Sequence, residues 1–146
     1  MSTVAAAALL GACGAGGADV HTYSPSNHVR GFVASSFTCA ARKQQAVQVD
    51  RAEVTQLLLC PIWPKGTKPV EITPASRLFE PIIVGLATPG DRYRSGMPCA
   101  AYADVDQTIL AKTPATQILV DIPRDSCSHF DPKLTALLAQ ARESGG

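Results

Sequence analysis

Within five residues, Cys127-Ser128-His129-Phe130-Asp131 offers a thiol, an imidazole and a carboxylate, the three groups that cysteine nucleophiles combine. A working nucleophile needs a base in hydrogen-bond reach and a third group that orients the base. Close neighbours along one loop rarely meet that geometry. Asp131 also has a competing role, because Asp131-Pro132 reads as a helix N-cap followed by proline at the first helical position. A Cys127 held in a disulfide has no thiolate to attack with. The expectation is therefore structural, with no catalytic residue. The alternative is a secreted thiol or hydrolase-type enzyme using Cys127, or Cys99, with His129.

The other chemistry-bearing residues are similarly spread. His21, His28 and His129 lie in polar stretches without the tight spacing of zinc ligands. Asp104-Val105-Asp106 places two carboxylates two residues apart, but lacks the glycine and further acids of a calcium loop. The glycines from Gly11 to Gly17 have neither the Lys-Ser/Thr pair nor the preceding strand of a phosphate loop. No metal and no cofactor is expected.

A chain of 146 residues suits one domain with its own core. Formal charge is +1, from 13 basic and 12 acidic residues mixed along the sequence. That balance sets up no field for a phosphate backbone, so nucleic acid is excluded as a partner. After the first residues, no apolar run approaches the roughly 20 needed to span a membrane.

Five cysteines are an odd number, and the amino terminus accounts for the extra one. Val4–Leu10 is a short apolar run followed by Leu10-Gly11-Ala12-Cys13, which resembles the lipobox of bacterial lipoproteins. The resemblance implies a leader over 1–12, lipid on Cys13, and attachment to a membrane through that lipid. The basic n-region of a secretory signal is missing, which fits a start placed too late. Residues 13–36, rich in Gly, Ala and Ser, read as a flexible tether, with one domain over 37–146. The remaining Cys39, Cys60, Cys99 and Cys127 form an even set, expected to pair in an oxidising, extracytoplasmic setting. Four cysteines allow three connectivities. Cys39–Cys60 with Cys99–Cys127 is favoured, because the latter two approximately flank one turn.

The elements that must position these residues follow from pattern. Val29 to Cys39 alternates weakly through Phe32, Ala34 and Phe37, and reads as a strand or an extended arm. Val47 to Ile62 is apolar through Val54, Leu57, Leu58 and Leu59, and reads as a buried strand ending at Cys60 and Pro61. Pro64-Lys65-Gly66-Thr67 is a turn, and Pro69 to Ile72 returns from it as a hairpin. Leu78, Ile82, Ile83 and Leu86 have helical spacing; Pro81 is tolerated only in a first turn, which puts the helix at 79–88. A second hairpin pairs 104–112 with 116–122. Ile118, Val120 and Ile122 share one face there, and only Leu119 breaks the alternation. Leu134, Leu137, Leu138 and Ala141 mark the inner face of a final helix. The fold class is α+β: an antiparallel sheet of two hairpins covered by two short helices and stapled by two disulfides.

The run Val54-Thr55-Gln56-Leu57-Leu58-Leu59-Cys60, the Pro98-Cys99 pair and the spacing to Cys127 together resemble small secreted or lipid-anchored domains of high-GC Gram-positive bacteria. The likeness covers roughly residues 46–142 and carries no activity with it. A second resemblance is to the secreted subtilisin-inhibitor family, where a strand also ends in cysteine before a Pro/Gly turn and a helix. The cysteine that family places just beyond the turn is absent here, where Pro74-Ala75-Ser76 stand, and Cys60-Pro61-Ile62-Trp63 precedes the helix instead of following it.

Two surfaces remain for a partner. Trp63, between prolines at a hairpin tip, is either a low-entropy anchor or a lid folded over the core. Arg92, Tyr93 and Arg94 lie in the long polar loop after the first helix. The expected function is an extracytoplasmic, lipid-anchored domain that binds a protein or envelope partner or has a structural role there. A secreted protease inhibitor is the other non-catalytic alternative.

Overall fold

A computed structural model describes residues 24–62, 68–90, 99, 104 and 106–145. Among these described residues six strands form one antiparallel sheet: β1 (His28–Ala34), β2 (Lys43–Asp50), β3 (Gln56–Leu59), β4 (Val70–Ile72), β5 (Ile109–Lys112) and β6 (Gln117–Val120). Their spatial order is β2-β1-β6-β5-β3-β4. Two helices, α1 (Phe79–Ala87) and α2 (Pro132–Ser144), complete the α+β fold, with disulfides Cys39–Cys60 and Cys99–Cys127. The pairing is the one favoured from spacing.

The weak alternation from Val29 is the first strand of the sheet. β1 lies inside the stretch expected as tether, yet it pairs with β2 on one side and β6 on the other. Its signal is weak because Gly31 occupies one inward position between Val29 and Val33. A Cβ there would stand 2.3 Å from the Leu119 carbonyl oxygen, so glycine is what lets β1 close against β6. The stretch read as one strand from Val47 to Ile62 is also divided. Val47 and Val49 belong to β2, and the Asp50 side chain then accepts the Ala52 N–H at 2.9 Å and starts a 3-10 turn at Arg51–Glu53. The chain re-enters the sheet as β3, separated from β1 by β6 and β5.

The helix-side face is the main core. Leu57, Leu59, Ile72, Ile109, Ala111 and Ile118 point from the strands toward Ile82, Ile83 and Leu86 of α1 and Leu134 and Leu138 of α2. Fully burying one such side chain contributes about 1.5–3 kcal/mol. α1 begins within the predicted bounds, with Pro81 in its first turn. α2 starts where Asp131 accepts the amide N–H groups of Lys133 at 2.7 Å and Leu134 at 3.2 Å. Asp131→Ala should lower stability by about 1 kcal/mol, read as a drop in urea midpoint with an unchanged slope.

The opposite face is not bare. Leu58, Leu110 and Leu119 are buried there with Ala34 and Cys60, under Phe37 and Ala41 of the β1–β2 connection. This explains the broken alternation at Leu119: both faces are covered at that strand. Cys39 fastens the connection to Cys60 at the end of β3. β2 forms one edge of the sheet, and its register with β1 shifts between Phe32 and Ala34.

Candidate functional site

The segment Arg124–Phe130, between β6 and α2, gathers most of the polar chemistry. Asp125 folds it. Its Oδ1 accepts the amide N–H groups of Cys127 and His129, both at 2.8 Å, while its own N–H donates to the His129 carbonyl at 2.8 Å. The turn requires Ser128 at φ 64°, a left-handed conformation uncommon outside glycine and asparagine. Arg124 closes the loop by donating to the Ser128 carbonyl at 2.8 Å, with its guanidinium 4.1 Å from the Phe130 ring centroid.

This loop holds the long connection between α1 and β5 at several points. Gly90 passes so close that a Cβ would stand 1.9 Å from the Arg124 carbonyl oxygen. Cys99 is bonded to Cys127. The Asp104 carboxylate accepts the Phe130 N–H at 2.5 Å, and Asp106 pairs with Arg124 at 2.9 Å. The last pair is exposed, with Asp106 at 96%, so it is worth no more than about 1 kcal/mol. The disulfide is the dominant fastening. Asp104 thus ties the connection to the loop while Asp106 stays in solvent, and β5 begins only at Ile109, not at 104.

The sequence-derived candidates divide accordingly. Cys127 and His129 are brought together with Asp125, not with Asp131, which caps α2. The potential ligand atoms of Asp125, Cys127 and His129 lie within 4.8 Å of one another; His28, exposed at the start of β1, is outside that group. Cys13, His21, Trp63, Arg92, Tyr93 and Arg94 lie outside the described residues. Cys60, at the end of β3, lies beside the entry to β5, since its N–H donates to the Thr108 carbonyl at 3.0 Å. Asp125, Arg124 and Gly90 carry no motif in sequence; their roles come from backbone contacts that only folding creates.

Arg142 ties the same end of the sheet to α2. Its guanidinium donates to Gln107 Oε1 at 3.1 Å and to the Cys60 carbonyl at 3.2 Å, and burial lowers its pKa below the ordinary arginine value. Arg142→Ala should cost about 1–2 kcal/mol by leaving both acceptors unpaired, and Arg142→Lys should recover part of it; thermal unfolding checks the order. Among the described residues no helix is long and apolar enough to cross a membrane. No protein-family model, curated protein or solved structure matches the chain.

Proposed function

We propose that this chain is an extracytoplasmic domain, lipid-anchored at Cys13, that binds a protein or envelope partner without catalysis. The observation that carries the reading is the fastening of the α1–β5 connection to the Arg124–Phe130 loop at Gly90, Cys99, Asp104 and Asp106. A connection held at both ends loses less conformational entropy when it docks, which favours recognition. Arg92, Tyr93 and Arg94 belong to that connection and are of the residue types that dominate contact energies. Two disulfides fit an oxidising compartment, and an oxidised Cys127 leaves the thiol-enzyme alternative without a nucleophile.

Two measurements test this. Thiol titration of folded, unreduced protein should find no free thiol among Cys39, Cys60, Cys99 and Cys127; one reactive thiol would favour an enzyme. Intact mass of protein from its native source should show loss of residues 1–12, an acyl addition and two disulfides. Unmodified mass with reduced cysteines would overturn the export reading. A second reading, protease inhibition, draws on the same double fastening between Cys99 and Asp104. It predicts slow cleavage at one exposed loop during incubation with a subtilisin-like protease, with matching loss of protease activity. A resistant chain that leaves the protease unaffected removes it.

A further inference from the structure

We propose that the Cys99–Cys127 staple is also a concealed zinc site, opened by reduction. The ligands would be Cys99, Cys127, His129 and Asp125, a closed four-ligand set of thiolates, imidazole and carboxylate of the kind zinc takes in structural sites. Three of these groups already place ligand atoms within 4.8 Å of one another, and the fourth is covalently attached to one of them. The Asp125 carboxylate is divided for the purpose. Oδ1 is fixed by the Cys127 and His129 amides, while Oδ2 stands 3.9 Å from His129 Nδ1.

That gap is longer than a hydrogen bond. It is close to the spacing of two ligands on tetrahedral zinc, about 3.4 Å given bonds of about 2.0–2.2 Å to nitrogen and oxygen. The amide contacts to Oδ1 orient the carboxylate as outer partners orient ligands in metal sites. His129 is buried at 7% exposure, whereas Cys99 is exposed and offers a sulfur to a reductant.

The step balances simply. A two-electron reductant cleaves the Cys99–Cys127 bond to two thiols: a dithiol gives up its two protons and leaves as its own disulfide, and a phosphine leaves as its oxide, with the oxygen and both protons coming from water. Zinc then binds both sulfurs as thiolates and displaces both protons to solvent. The ion joins the same two chain segments that the covalent bond had joined, so the α1–β5 connection stays fastened in either redox state. The proposal stands apart from the binding reading, which concerns the oxidised protein and survives its failure.

The test uses the full chain carrying Cys13→Ala, with cobalt(II) as a spectroscopic stand-in and zinc as competitor. After treatment with a phosphine reductant, it should take one cobalt with thiolate charge-transfer and tetrahedral visible bands, both bleached by one equivalent of zinc. The oxidised chain should take none. Cys39→Ser with Cys60→Ser should keep the site, Cys99→Ser with Cys127→Ser should lose it, and His129→Ala should weaken binding by more than about 100-fold, beyond what an outer-partner change costs. Because full reduction can unfold the domain, Cys99→Ser alone provides a second arm: Cys39–Cys60 stays oxidised, and Cys127, His129 and Asp125 should still hold cobalt through one thiolate. Absence of thiolate–cobalt bands in both the reduced chain and Cys99→Ser overturns the proposal, as does unchanged affinity in His129→Ala.

Discussion

Gly31→Val is expected to leave the chain largely unfolded at 37 °C, even though valine is the better strand former. Position 31 lies in β1 between two hydrogen-bonded neighbours, and any Cβ there meets the Leu119 carbonyl oxygen at 2.3 Å. The obstacle is backbone, so no rotamer change relieves it. β1 must move away from β6, which opens the middle of the sheet over Ile118 and Val29. Overpacking usually costs 1–3 kcal/mol and occasionally more. Here about 3 kcal/mol or more is expected, against a total of 5–15 for an ordinary domain. Gly31→Ala should show the same defect at a smaller size. Near-native urea midpoints in both variants would mean that β1 does not pack as described.

Removing the Cys39–Cys60 bridge is the second large effect. Cys39→Ser with Cys60→Ser should destabilise by about 3 kcal/mol in the chain-entropy account, for a sequence separation of 21. It should also do something that loss of Cys99–Cys127 does not. The first bridge holds the β1–β2 connection over Leu58, Leu110 and Leu119. Freed, that connection should lift and expose the patch, raising the fluorescence of a hydrophobic dye before the unfolding transition. The second bridge fastens polar segments, so its removal should lower the midpoint with no dye signal at low denaturant. Identical dye responses would show that the connection stays down without its sulfur.

These variants mark where the sequence could be read and where it could not. α1, α2 and the β5–β6 pair carry periodicity strong enough to place them, and Pro81 and Asp131 set helix starts that the structure repeats. The disulfide pairing followed from spacing about a turn. β1 shows in the sequence only as a weak alternation from Val29, because its inner face contains a glycine and its outer face contains Phe32. The split between β2 and β3 depends on one side-chain cap at Asp50, which does not interrupt hydropathy. At the site, Cys127 and His129 were legible by residue type, but their carboxylate neighbour is Asp125, two residues before the cysteine, and not Asp131 after it. A left-handed Ser128 makes that choice, and no residue-type pattern announces it. Asp104 meets Phe130 across 26 residues and Arg124 meets Asp106 across 18, contacts that the second hairpin brings round.

The irregular register of β2 has a consequence for how copies of this protein meet one another. An outermost strand with regular hydrogen-bonding groups invites lateral growth into fibrils. Here the row is bent by an extra residue, Lys43 turns over the Phe32 ring, and Gln44, Gln45 and Gln48 are solvated. The far margin, β4, offers only three residues after Pro69. Crowding should therefore leave the molecules dispersed, with neither flank serving as a template.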